Sequence, residues 1–284
     1  MFRKTLNQAH SDLGTSDLDK TLQREIHLAR NIQTTLLNGE KPKLPSGEVS
    51  GVSIPARLIG GDYYDFYPLA DGKIRIVIGD VMGKGIPAAM LMILTRGAFR
   101  SAAEATQGPG ETLTAMNNAL YQDFRKLKSF VTVFCADWDP GSGKFVYANA
   151  GHDLPVIVRS SVGTIEPPEL KGVMLGGLPS QVYKEKEVSL QEEDMVFFYT
   201  DGIVEAQNRE GGMYKLERLV PLLIGHSRKA AAEIEAVVTE AIHDFTEGLP
   251  QRDDITMVVL KVGKQTTEIA SYSSPFINAS CDFL

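Results

Sequence analysis

Residues 60–85 read GGDYYDFYPLADGKIRIVIGDVMGKG. Two apolar runs, YYDFYPL from Tyr63 and KIRIVIGDV from Lys73, flank Ala70-Asp71-Gly72, the composition of a hairpin turn. A three-residue loop with Gly72 in the left-handed conformation sets Leu69 against Lys73 and Asp62 against Asp80. A two-residue Asp-Gly turn would instead put the two acids on opposite faces. Like charges facing across a ladder are destabilising, so the first register demands a compensating partner. On its own, Asp62 also reads as a plain turn residue beside two glycines.

Other strand ends repeat the pattern. Asp201 follows the apolar run of DMVFFYTDG, and Asp253 and Asp254 open the last strand in QRDDIT. Singly these are ordinary turn or cap acids. A sheet whose ends converge would collect them into one cluster, untenable unless cations neutralise it. Oxygen-only ligands point to hard divalent ions, Mg²⁺ or Mn²⁺, and no zinc-type Cys/His spacing occurs.

Outward from this hairpin, the pattern predicts an α+β fold. A charged helix of about Asp17 to Leu37 carries a heptad-like stripe of Leu18, Leu22, Ala29, Ile32 and Leu36, and NGEKPKLPSG ends it. VSIPARL alternates as a strand. GIPAAMLMILTRGAFRSAA reads as a helix entered through Pro87, and ETLTAMNNALYQDFRK as a second. FVTVFCADWDPGSGKFVYANAG is a hairpin, DMVFFYTDG a buried strand, AAAEIEAVVTEAIHDFTEG a helix and DDITMVVLKV a closing strand. There is no regular βαβ alternation, which favours antiparallel sheet layers with helices outside. We expect an N-terminal regulatory or dimerising helix in residues 1–40, a main domain in 41–264, and a polar tail in 265–284.

Among 284 residues, 43% are hydrophobic and 23% charged, with a net charge of −7. That acidic balance argues against nucleic acid or anionic membrane as partner. Cys135 and Cys281 cannot form a disulfide framework, which fits a reducing compartment. The N-terminus lacks a signal-peptide core and the longest apolar run, Ala88–Leu94, is too short to span a bilayer. The expectation is a soluble cytoplasmic protein.

IGGDYYDFY, GDVMGKGIPAAMLM, NAGHDLP, YTDGIVEA and DDITMVVL occur in this order. Together they resemble the motifs of the PPM metal-dependent protein phosphatases, most closely the bacterial SpoIIE/RsbU-like serine phosphatases of partner-switching pathways. The resemblance covers roughly Leu22 to Val262. It implies two central antiparallel β-sheets flanked by helices, with two Mn²⁺ or Mg²⁺ ions, or three during turnover, at one edge. Asp80 would bridge the metals, helped by the Val81 carbonyl. Asp201 and Asp253 would be direct ligands and Asp62 direct or through water, with Asp254 competing with Asp253 for the role. The implied activity is hydrolysis of phosphoserine by metal-activated water. The implied substrate is a STAS-domain anti-anti-sigma factor, which dephosphorylation would free to bind its kinase.

Other residues carry weaker readings. Lys84 between two glycines could attract phosphate, but the loop is no P-loop: three residues separate Gly79 from Gly83 and Gly85 stands where Ser or Thr is needed. His152 reads as a residue bonding a loop backbone ahead of a general acid. Met82 stands where the eukaryotic branch of the family has a histidine, and Arg57 matches no phosphate-gripping register. REIHLARNIQTTLL resembles the linker helix of the bacterial branch, so Leu22, Ala29, Ile32 and Leu36 would meet an activating protein or a second copy, against a helix packed on its own domain. The competing function is a catalytically silent module of the same fold regulating a signalling partner. Intact acids at every motif position argue against it.

Overall fold

The computed structural model describes residues 15–37, 42–159, 163–165 and 169–263. The tail expected from residue 265 onward, with Cys281, lies outside them. The first helix, α1, runs Thr15–Leu37. Strand β1 (Gly47–Ile54) precedes the hairpin of β2 (Tyr63–Pro68) and β3 (Ile74–Val81). Helices α2 (Ile86–Ala105) and α3 (Pro109–Leu127) follow, each with proline in its first turn. Then come β4 (Val131–Asp139), β5 (Lys144–Ala150), β6 (Val156–Arg159), β7 (Gly163–Ile165), β8 (Lys186–Ser189) and β9 (Met195–Tyr199). The short α4 (Asp201–Val204), α5 (Leu216–His226), α6 (Ala231–Thr246) and β10 (Ile255–Val262) close the chain.

The strands form two five-stranded sheets, ordered β1-β10-β9-β6-β7 and β2-β3-β4-β5-β8, and every pairing in them is antiparallel. The hairpin follows the three-residue register: Ala70–Gly72 form a single 3₁₀ turn, Leu69 N–H donates to the Lys73 carbonyl (2.9 Å), and Gly72 has φ 72°. Tyr63 pairs with Gly79, which puts Asp62 and Asp80 at the next step of the ladder.

Layering explains the composition of β3. Ile74, Ile76 and Ile78 point between the sheets to Phe134, Phe145, Phe198 and Val258. Val77 and Val81 point the other way, under Met92 and Phe99 of α2 and Phe124 of α3. Both faces are covered, so the strand reads as a continuous apolar run rather than an alternating one. The other sheet's outer face, including Phe197 and Met257, packs on α5 and α6 through Leu219, Leu223, Ile234 and Val238. The result is a helix–sheet–sheet–helix sandwich, each large apolar side chain contributing about 1.5–3 kcal/mol by burial. The sequence pattern announces neither β6–β8 nor α5, LERLVPLLIGH, whose internal Pro221 disguises it.

Cys135 is a buried core residue of β4 beneath α2 and α3, and burial pushes its thiol pKa up. It packs as a small apolar side chain and has no nucleophilic character. Among the described residues, no helix is long and apolar enough to cross a membrane.

Candidate metal centre

The acids gather where both sheets end on the same side of the sandwich. Asp62 and Asp80 come from β2 and β3 of one sheet; Asp201, Asp253 and Asp254 come from the ends of β9 and β10 in the other. Backbone approach there is too close for side chains at the neighbouring glycines. A Cβ on Gly60 would meet Asp254 Oδ2 at 2.4 Å, and one on Gly202 would meet the Asp254 carbonyl at 2.0 Å. The glycines beside the acids are therefore structural requirements of the cluster itself.

Burial and mutual repulsion both act on these carboxyls. Burial, and next Asp80, push the Asp62 pKa well above the usual carboxylate range. Asp80 is raised to about 7, first by burial and then by Asp201, while it hydrogen-bonds with Asp62. Asp201 is raised to about 6 by burial, then by Asp253, Glu205 and Asp153. Three acids with unfavourable charge in one place is the condition that a bound cation relieves.

Individual partners set each acid's role. Thr200 Oγ1 donates to Asp62 Oδ2 (2.7 Å) and accepts from Thr256 N–H (3.0 Å), tying the two sheets together at the site. Asp253 is partly exposed and takes Lys84 Nζ at 2.7 Å, and the same ammonium also donates to the Arg252 carbonyl. Asp254 is buried and turned away: its Oδ1 accepts from Ala56 N–H (2.7 Å) and its Oδ2 from Gly61 N–H (2.6 Å). With both oxygens committed to backbone, Asp254 acts as the staple holding the Gly60–Asp62 segment. As placed, no three carboxylate, imidazole or thiol side chains among the described residues converge on one ion position.

The opposite side of that segment is held by α1. Gln33 Nε2 donates to the Gly60 carbonyl (2.7 Å), and Gly60 N–H donates to Gln33 Oε1 (3.1 Å). Gln33 is buried, whereas Leu22, Ala29 and Ile32 of the stripe are exposed and Leu36 is half-buried. Leu37 packs against the core under α2 and α3. The helix thus docks through a polar anchor that the stripe does not disclose.

His152 takes the structural role. Its Nδ1 lies 2.9 Å from Thr132 Oγ1 and its Nε2 lies 3.1 Å from the Tyr199 carbonyl, so Nε2 carries the proton. Its own N–H donates to Asn149 Oδ1 (2.9 Å), and burial lowers its pKa to about 4. It fixes the strand that delivers Asp201, and near neutral pH it is an uncharged imidazole whose one N–H is committed to the Tyr199 carbonyl. Met82 is exposed beside the site, with nothing to donate.

The donor set suits a hard divalent cation: carboxylates and the nearby Val81 carbonyl, which Gly61 approaches so closely that a Cβ there would lie 3.0 Å from it. Comparison with known proteins agrees with this fold. Residues 70–263 match the family of Stage II sporulation protein E (SpoIIE). The chain is 30% identical over 244 residues to the phosphoserine phosphatase RsbU of Bacillus subtilis, covering 86% of this chain and 72% of RsbU. The SiaA-PP2C domain of Pseudomonas aeruginosa superposes with a TM-score of 0.73 at 22% identity, covering 87% of this chain and 98% of that domain. RsbX in complex with magnesium shares the fold, with a TM-score of 0.60 at 15% identity over 79% of this chain and 99% of RsbX. The chain belongs to the SpoIIE family, within the SpoIIE/RsbU-like branch of the PPM phosphatases.

Proposed function

We propose that this protein is a metal-dependent protein serine phosphatase acting on a phosphorylated STAS-domain partner in a partner-switching pathway. The observation that carries the reading is the meeting of Asp80 with Asp201 and Asp253 at the converging sheet ends, with burial and mutual repulsion raising the first two. The resemblance to RsbU, a phosphoserine phosphatase, supports the substrate class.

Asp80, Asp201 and Asp253, with Asp62 and the Val81 carbonyl, would hold two Mn²⁺ or Mg²⁺ ions. Asp254 supports them from behind. Such ions supply Lewis acidity, activating water and offsetting charge on phosphoryl oxygens. The chain's own contribution is placement. Thr200 and Asp254 fix Asp62 and its hairpin from two sides, and His152 fixes the end of β9 through Tyr199. Lys84, tethered to Asp253, is positioned to exchange that carboxylate for a phosphate oxygen once the acid has another counter-ion. No protein nucleophile is required.

The test is hydrolysis of para-nitrophenyl phosphate with and without Mn²⁺, in the unmodified protein and in Asp80→Asn and Asp201→Asn. Turnover that needs Mn²⁺ and is lost in both variants supports the reading. Absence of turnover, with Mn²⁺ also leaving the melting temperature unchanged, favours the silent interaction module.

A further inference from the structure

Beside the acid cluster lies a cavity of about 360 Å³ that the reaction described above does not use. Its floor is apolar. Ile54 at the end of β1, Ile255 at the start of β10 and Ile242 of α6 meet there, with Ala206 after α4 on one side. The far wall is the segment Leu249–Asp253, and it is pinned rather than loose. Gln251 Nε2 donates to the Ile54 carbonyl (2.7 Å) and the Asp253 carbonyl (2.6 Å), and Arg252 donates to Gln207 Oε1. A cavity whose wall is held by its own hydrogen bonds is largely formed before anything binds.

Its place decides what it meets. Lys84 and Asp253 line this cavity and border the acid cluster, with Gly202 next to Asp201, so the two share a wall. A phosphoserine seated at the cluster brings its neighbours over the cavity mouth, since successive Cα atoms are only about 3.8 Å apart. Among the polar groups, Lys84, Gln207 and Arg252 stand with the shared wall and segment, and Thr239, His243 and Thr246 lie on the α6 side; Lys84 and Arg252 are already paired with Asp253 and Gln207. The isoleucine floor offers a charged side chain no partner, and burying one there would be costly.

We propose that this cavity is a substrate subsite for an apolar side chain, of the Leu, Ile, Met or Phe class, lying within about three residues of the phosphoserine. It deepens the phosphatase reading and rests on it. Phosphate chemistry at the cluster is common to every phosphoserine; the cavity is where this protein distinguishes one phosphoprotein from another.

The experiment uses the full chain with Mn²⁺ and a set of phosphoserine heptapeptides in which each flanking position carries Leu, Ala or Asp in turn. Two variants fill the cavity from outside the acid cluster: Ala206→Phe and Thr246→Trp. The expected result is one flanking position at which Leu exceeds Asp by roughly 10- to 100-fold in kcat/KM. That preference collapses towards unity in both variants, while turnover of para-nitrophenyl phosphate and the melting temperature stay unchanged. The proposal is overturned if no position prefers an apolar residue, if the preference survives both variants, or if filling the cavity lowers para-nitrophenyl phosphate turnover as much as peptide turnover. Failure of the unmodified protein to turn over para-nitrophenyl phosphate at all would instead sink the phosphatase reading.

Discussion

Strand β3 carries two charged side chains five positions apart, Arg75 and Asp80, and they live in opposite circumstances. Arg75 is fully buried, yet every part of its guanidinium is answered. Asp137 lies directly across the ladder and takes Nε and Nη2 at 2.6 and 2.7 Å, and Nη1 donates to Thr106 and Thr112 hydroxyls at 3.0 and 2.6 Å. Asp80 has Thr132 across one ladder and, at the other, Asp62; Asp201 and Asp253 close in from the second sheet. One site is complete within the chain and the other is not. A buried charge with its partner built in is a structural element, while a set of buried like charges is stored repulsion awaiting a ligand.

The sharpest way to break this contrast is to remove charge at each site. Asp80→Asn should lower Mn²⁺-dependent turnover of para-nitrophenyl phosphate by about 10³-fold or more. In EDTA the same change should raise the melting temperature by a few degrees, because it removes a carboxylate that burial and Asp201 destabilise. A variant that loses activity and melts lower would show Asp80 to be a structural acid like Asp137. Arg75→Met is the counterpart. Leaving Asp137 unpaired should cost about 3–5 kcal/mol, read as a lower midpoint in urea unfolding, and Asp137→Leu added to it should recover much of the loss.

Solution pH sharpens the comparison further. The Asp80 pKa of about 7 lies above its ordinary 3.8, so the folded chain holds that proton longer than the unfolded one. Its protonated form therefore favours folding, and stability should fall as pH rises to about 7 and level off beyond. His152 works in the other direction: with a pKa lowered from 6.5 to about 4, it costs stability as pH falls between those values. Above pH 6.5 the acids act alone. In EDTA the melting temperature should drop by a few degrees between pH 6.5 and 8, and saturating Mn²⁺ should flatten or reverse that slope, since its ligands bind it deprotonated. An unchanged slope with Mn²⁺ would mean that the acids are not its ligands.

How much of this was legible in the sequence follows from which forces are local. The β2–β3 hairpin was readable because turn chemistry fixes register: Gly72 in the left-handed region makes the three-residue loop, and the facing of Asp62 and Asp80 follows. The acid cluster was readable because each member ends an apolar strand. The engagement of Asp254 was not, since it depends on two amides nearly two hundred residues upstream, Ala56 and Gly61, claiming both of its oxygens. Arg75 left no trace either; a lone arginine inside KIRIVIGDV gives no sign of its burial, and only the two helices laid over that face make it buried.

Helix α1 offers the smallest expected effects and a test of how the incomplete site is kept in shape. Leu22, Ala29 and Ile32 of its stripe are exposed and Leu36 is half-buried, and it is the Gln33 amide that holds α1 to the domain here, pairing with both backbone groups of Gly60, two residues before Asp62. Gln33→Ala leaves a buried N–H and carbonyl without partners, which should cost about 1–3 kcal/mol. Because Gly60 carries the segment that Asp254 staples from the other side, the loss should also raise the Mn²⁺ concentration for half-maximal turnover more than it lowers kcat at saturating Mn²⁺. Leu22→Ala and Ile32→Ala should each stay within about 0.5 kcal/mol of the unmodified protein. The reverse outcome, a silent Gln33→Ala and a damaging Ile32→Ala, would mean that apolar contacts made by the stripe, rather than the amide clamp, keep α1 on the domain, and the acid cluster would then owe its shape to Thr200 and Asp254 alone.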